Sequence, residues 1–111
     1  MMRIAMSPAA GALLRALVAR SRVDRDRILL SDVHSVDWQS LTFNGERHHV
    51  TLRITGRDSG AVVERMCLGL EEAEFSIPGI IVADIGVIGT PARAPDGATE
   101  LMIEALTVAA D

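Results

Sequence analysis

The stretch from Trp38 to Thr55 constrains the fold more than any other part of the chain. Leu41 and Phe43 alternate with polar residues, the dipeptide Asn44-Gly45 follows, and a second alternating run comes after it. Asn-Gly is the preferred pair for a type I′ turn, because both central residues need a positive φ. We therefore predict a β-hairpin in which Phe43 pairs with Glu46 across the turn.

The predicted register assigns the side chains of this hairpin to two faces, because neighbouring side chains on a strand point in opposite directions. The alternation of apolar residues shifts by one position before the turn, so we also predict a bulge near Asp37-Trp38. The face assigned to the core carries Leu41, Phe43, Val50, Leu52 and Ile54. The opposite face carries Trp38, Ser40, Thr42, Arg47, His49, Thr51 and Arg53.

Two helices are predicted from their end signals and their apolar spacing. The first begins at Ser7-Pro8, an N-cap residue followed by a proline, and ends near Ser21. The second follows the turn at 56–60, where Asp58 or Ser59 can cap it. The apolar residues at helical spacing are Leu13, Leu14, Leu17 and Val18 in the first helix and Val62, Val63, Met66, Leu70 and Ala73 in the second.

The order of elements predicts the fold class. Strands are predicted at 27–43, 46–55, 80–89 and 101–109, with a polar loop at 90–98, which gives the order α-β-β-α-β-β. Moving the last strand to the front would give the ferredoxin-like order. We predict one α+β domain over residues 1–111, with 1–7 as a flexible N-terminus. It is a two-layer sandwich in which two helices cover one face of a four-stranded antiparallel sheet, a permuted ferredoxin-like arrangement with the last strand between the second and third.

The third predicted strand suggests a second copy of the chain as a partner. Residues 80–89 are apolar in both phases except at Asp84, and a strand of this kind needs cover on both sides. One layer of helices covers only one side. We therefore expect a homodimer in which two sheets pack face to face about a twofold axis. The predicted interface residues are Ile80, Val82, Ile88, Met102 and Leu106.

The polar face of the hairpin is the candidate ligand site. Arg47, His49 and Arg53 beside Trp38 would form a basic, half-aromatic floor for a small carboxylate or phosphate, and Asp84 would add a carboxylate from the third strand. The alternative is a solvated or interfacial strand face, in which these arginines pair with Asp84 or Glu104 of a neighbouring copy. A third interpretation makes Asp84 and Glu104 an acid/base couple.

Other residues with reactive side chains give no pattern typical of catalysis or metal binding. His48 and His49 are adjacent on a strand and therefore point to opposite faces, so they do not form a metal pair. Cys67 lies within the second predicted helix with no local histidine or cation to activate it. We expect no catalytic residue, no metal site and no cofactor.

Composition and charge narrow the classes of partner. All 11 basic residues are arginine, which excludes lysine-based Schiff-base and P-loop chemistry. Residues 1–22 carry four arginines and no acid, a pattern also compatible with a targeting segment, whereas the remainder carries seven arginines against 15 acids. That acidic balance argues against nucleic-acid binding. Asp84 interrupts the longest apolar run, so we expect no membrane span, and a single cysteine suits the cytoplasm.

Two functions follow from these features. The first is a non-enzymatic, cytoplasmic homodimer that serves as a small interaction or ligand-sensing domain, with a small anionic ligand as a candidate. The second is a small cofactor-independent enzyme with a pocket on the sheet face or between the sheet and the helices.

Overall fold

A four-stranded antiparallel sheet with two α-helices on one face forms the body of the molecule, which confirms the predicted fold class. The computed structural model describes residues 6–110. The strands are β1 (Ile28–Gln39), β2 (Asn44–Ile54), β3 (Ile80–Arg93) and β4 (Thr99–Ala109). The helices are α1 (Pro8–Ser21) and α2 (Ser59–Cys67), with short 3₁₀ turns at Arg25–Arg27 and Leu70–Glu72.

The strand order across the sheet is β1-β2-β4-β3, and all three neighbouring pairs are antiparallel. The last strand therefore lies between the second and the third, as predicted. β3 and β4 are longer than expected, because β3 extends through residues 90–93 of the predicted loop and β4 begins at Thr99. The connection is a tight turn, closed by a 2.8 Å hydrogen bond from the Ala94 amide to the Ala98 carbonyl.

Helix α1 begins and ends where the sequence predicts. The Ser7 hydroxyl accepts a hydrogen bond from the Ala10 amide and donates one to Glu46 Oε1 at 2.7 Å. The helix ends at Ser21, and Arg22 follows in the left-handed conformation with φ of 58°. Ser7, the last residue of the predicted flexible N-terminus, is thus tied to β2, and residues 1–5 of that segment lie outside the described part of the chain.

The core is aliphatic and lies between the sheet and the two helices. Leu13 and Leu17 of α1 and Val62 and Met66 of α2 are almost fully buried against the sheet. Burial of each such side chain contributes about 1.5–3 kcal/mol to folding. The inward-facing strand residues of the core are Ile28, Val50, Leu52, Ile54, Ile85, Leu101, Ile103 and Ala105.

The hairpin between β1 and β2 differs from the prediction. Gln39 pairs with Asn44, and residues 40–43 form the loop, closed by a hydrogen bond from the Ser40 amide to the Phe43 carbonyl at 2.9 Å. The predicted Phe43–Glu46 pair is therefore wrong. Leu41 is fully exposed and Phe43 is 49% exposed, so their assignment to the core is also wrong.

Gly45 explains why Asn-Gly is not the turn. Neither Asn44 nor Gly45 has a positive φ, and both lie within β2. A Cβ atom on Gly45 would lie 1.9 Å from the Thr107 carbonyl oxygen of β4. Glycine is therefore required at this position by the close approach of two strands, and not by a turn conformation.

Bulges in β1 and β3 decide which side chains reach the core. The predicted bulge near Asp37-Trp38 is wrong, because the irregularity in β1 lies between Leu30 and Asp32. A second bulge leaves Ala83 of β3 without a partner on β4. An extra residue reverses the faces on either side of it. Val82 consequently packs against the core, and Ile80 shares its side of the sheet, so neither belongs to the outward set in which they were predicted.

Candidate functional site

The face of the sheet opposite the helices, here called the open face, holds most of the predicted site residues. Alternation along β2 with the buried core residues places Arg47, His49, Thr51 and Arg53 on this face. Trp38 of β1 is paired with Gly45 and lies at one end of the same face. Ile88, Met102 and Leu106, three of the predicted interface residues, also lie there, together with Asp84.

Charge on the two central strands of the open face is sorted by sign. The outward positions of β2 carry Arg47, His49 and Arg53 and no acid. The outward positions of β4 carry Glu100 and Glu104 and no base. Register places His49 opposite Glu104 and Arg53 opposite Glu100. A basic strip therefore runs alongside an acidic strip at the centre of the face.

Glu104 links the two strips. Its Oε1 atom lies 3.3 Å from His49 Nε2 and accepts a hydrogen bond from Arg47 Nη1 at 3.0 Å. The imidazole of His49 and the guanidinium of Arg47 hold the pKa of Glu104 below its ordinary value. The side chains of Arg47 and Glu104 are 37% and 39% exposed, so this pair contributes little to the stability of one chain. Both charges remain accessible from solvent.

Arg53 has a different partner at the far end of the face. Its guanidinium pairs with the Asp96 carboxylate in the turn between β3 and β4. The pKa of Asp96 is lowered, first by the hydrogen bond that it accepts from the Ala98 amide and then by Arg53. Arg53 is eight residues along β2 from Gly45, the partner of Trp38, a separation of about 27 Å.

The predicted ligand residues are therefore spread over the open face and do not converge on one pocket. Asp84 lies two strands from Arg47 in the same row across the sheet, with Leu106 between them, which separates the two backbones by about 10 Å. Within residues 6–110, Asp84 takes part in no ion pair. An arrangement this wide is typical of a contact surface and not of a small-molecule pocket.

Apolar side chains lie among these charges, and sequence reasoning missed several of them. Val36 and Leu29 of β1 and Ile81 of β3 are each close to half exposed on the open face. The alternation of His34, Val36 and Trp38 in the sequence was the available signal. This alternation was obscured because the register of the strand was derived from Asn44-Gly45, which is not the turn.

The remaining reactive residues lie on the covered side. His48 is fully buried, and burial lowers its pKa. It faces away from His49, as predicted for adjacent strand residues. Burial raises the pKa of the Cys67 thiol, which disfavours the nucleophilic thiolate. Within the described residues, no three histidine, cysteine or acidic side chains gather as a metal-ligand set. None of the helices there has the length and apolar character to cross a bilayer.

The chain matches no known protein-family model, and the comparisons with curated proteins and with solved structures also gave no match.

Proposed function

We propose that this chain is a cytoplasmic homodimeric interaction domain in which a second copy covers the open face. The fold we propose for it is the permuted ferredoxin-like sandwich, which the strand order β1-β2-β4-β3 supports. The observation that carries the proposal is the sorting of charge between β2 and β4. A surface that binds its own copy must be complementary to itself.

This requirement is met by a twofold axis that runs parallel to the strands and lies above the open face, over the gap between β2 and β4. Rotation about such an axis lays β2 of each copy over β4 of the other. Residues that are in register across one sheet then face the same register position in the partner. His49 then faces the partner's Glu104, and Arg53 faces the partner's Glu100. A twofold axis perpendicular to the strands would instead place basic strip over basic strip, which like-charge repulsion disfavours.

The apolar residues of the open face fit the same arrangement. Trp38 and Ile81 lie in one row at opposite edges of the sheet, so the strand-parallel axis brings each over the other in the partner. Face-to-face sheets pack about 10 Å apart, which is close enough for large side chains to interdigitate. Removing half-exposed apolar side chains such as Ile81 and Met102 from water supplies the driving force.

Charge reversal tests the proposal through complementation. Arg47 lies next to His49 on the outward side of β2 and is therefore diagonally across from the partner's Glu104. Arg47→Glu and Glu104→Arg each bring like charges together at this point, so each variant alone should run as a monomer of 11.9 kDa in light scattering. Mixed in equal amounts, the two variants should form a heterodimer, since positions 47 and 104 then carry opposite charges across both halves of the interface. Wild type should have about twice the monomer mass.

Arg57→Glu is the matched control, because Arg57 is exposed in the loop before α2 and away from the open face. This variant should remain dimeric. A monomeric wild type would overturn the proposal, and so would a mixture of the two reversed variants that stays monomeric while wild type dimerises.

A further inference from the structure

A second surface feature lies on the helix-covered side of the sheet, at its β1 edge. A groove of ≈ 360 Å³ runs between α1 and β1. This volume lies within the range of small-molecule sites in proteins. Its walls are aliphatic and its remaining lining includes two arginines. The lining residues are Met6, Gly11, Leu14, Arg15, Val18, Arg25, Ile28 and Leu30.

The guanidinium of Arg15 lies at the groove. Its Nη1 atom lies 3.5 Å from the point where a Cβ atom on Gly11 would sit, and Gly11 is part of the groove wall. The lack of a side chain at Gly11 thus leaves space for the charged group to lie over the helix backbone. Arg15 is exposed to solvent and also lines the groove, so its charge is available to a ligand there.

Among the described residues, neither arginine of the groove has an acidic partner. Within residues 6–110, Arg15 and Arg25 take part in no ion pair. Asp24 and Asp26 flank Arg25 in the sequence, yet neither lines the groove. Among residues 6–110, no acidic side chain contributes to the lining, so the field inside the groove favours an anion.

We propose that this groove binds a small carboxylate with an aliphatic chain. The aliphatic chain of the ligand would lie along the wall formed by Leu14, Val18 and Leu30. A purely polar anion would leave these apolar side chains in contact with water. The carboxylate would accept paired hydrogen bonds from Arg15, and Arg25 adds a second cation at the same groove. This inference does not rest on the proposed dimer, since the groove and the open face lie on opposite sides of the sheet.

Titration calorimetry with octanoate, kept below its micelle-forming concentration, tests the proposal. Wild type should bind octanoate at one site per chain and should bind 1-octanol at least about tenfold more weakly, because the charge-assisted hydrogen bonds are lost. Arg15→Gln should weaken octanoate binding about tenfold. Arg57→Gln, which removes an arginine elsewhere on the surface, should leave binding unchanged.

A blocking variant and a spectroscopic readout locate the site. Gly11→Leu places a side chain into the groove at a position where the only near atom is the flexible end of Arg15, so the helix should fold and octanoate binding should be lost. In NMR spectra, the methyl signals of Leu14 and Val18 should shift with octanoate.

Several outcomes would overturn the proposal. They are no octanoate binding by wild type, equal binding of 1-octanol, or binding that survives both Arg15→Gln and Gly11→Leu. Methyl shifts that follow protein concentration and not octanoate would show that a second copy occupies the groove. Arg47→Glu should be a monomer that still binds octanoate. Failure of the octanoate proposal and failure of the dimer proposal can therefore be told apart.

Discussion

The Nδ1 atom of His48 lies 2.7 Å from the hydroxyl oxygen of Ser35 on the neighbouring strand. On its other side, Nε2 lies 2.8 Å from the Thr107 hydroxyl, so the ring bridges β1, β2 and β4. The imidazole is fully buried and both nitrogens have partners. A neutral ring needs one donor and one acceptor, which two rotatable hydroxyls supply. The principal effect of burial is therefore to penalise the charged form.

Stability should fall with decreasing pH because of His48. Burial lowers its pKa from the ordinary 6.5, so the unfolded chain takes up the proton first as the pH drops. The stability from the neutral ring is fully present above pH 6.5 and is lost as the pH falls from there through the lower folded pKa. Urea unfolding at several pH values between about 8 and 5 measures the loss.

His48→Gln can keep hydrogen bonds to both hydroxyls but does not titrate in this range, so its stability should depend less on pH than that of wild type. His34→Gln changes an exposed histidine on the open face and should retain the wild-type dependence. Equal pH slopes for His48→Gln and wild type would contradict the role given to His48.

Ser59→Ala should destabilise the fold by about 1–3 kcal/mol. The buried Ser59 hydroxyl donates to the Gly97 carbonyl at 2.7 Å and lies 2.7 Å from the Thr99 hydroxyl, so it ties the start of α2 to the β3–β4 turn. Removing it leaves buried polar groups unpaired. Chemical denaturation measures the change, with the exposed Ser31→Ala as control; similar small effects for both variants would refute the claim.

Gly11→Ala should raise the free energy of unfolding by about 1 kcal/mol. Gly11 is inside α1, where alanine has the higher helix propensity, and its Cβ would meet only the end of the Arg15 side chain at 3.5 Å. Gly45→Ala is the opposite case, since its Cβ would lie 1.9 Å from the Thr107 carbonyl. It should cost about 2 kcal/mol or more, because β2 and β4 must separate. Thermal unfolding should give melting temperatures that move in opposite directions.

Leu41→Ser should change stability by no more than about 0.5 kcal/mol, because Leu41 is fully exposed in the β1–β2 loop. Leu52→Ala, which removes a fully buried side chain of the same type from β2, should cost about 2–5 kcal/mol. Urea midpoints compare the two. A large loss for Leu41→Ser would mean that the loop packs on the sheet as the Asn-Gly register requires.

Local signals in the sequence predicted most elements correctly. The Ser7-Pro8 pair placed the start of α1, and the helical spacing of Val62 and Met66 identified the buried side of α2. These features depend on residues close in the chain, where the physical rules are strong. The position of β4 between β2 and β3 followed from element order alone.

The errors came from long-range contacts. Asn44-Gly45 has the composition of a turn, yet its glycine is needed because β4 passes close to it, and β4 is distant in the sequence. Likewise, the bulge at Ala83 lets Val82 and Ile85 both face the core, which the sequence shows only as a strand apolar in both phases. A pattern read with a two-residue period does not distinguish a bulged strand that buries one face from a regular strand that buries both faces.

Only part of the candidate site was predicted, because its other features also depend on contacts between residues that are distant in the sequence. Alternation along β2 correctly grouped Arg47, His49 and Arg53 on one side of the sheet, but it gave no information about their neighbours. The pairing of Arg47 and His49 with Glu104 depends on the β2–β4 register. The groove beside α1 depends on how that helix sits on β1.

The separation of arginine and histidine on β2 from glutamate on β4 gives the open face an electric dipole in the plane of the sheet, directed across the strands. Two copies that approach with these faces turned toward one another experience a torque that turns the two dipoles antiparallel, with basic strip over acidic strip, before any atoms touch. Encounters would then be oriented before contact, and their rate would fall as added salt shortens the reach of the field.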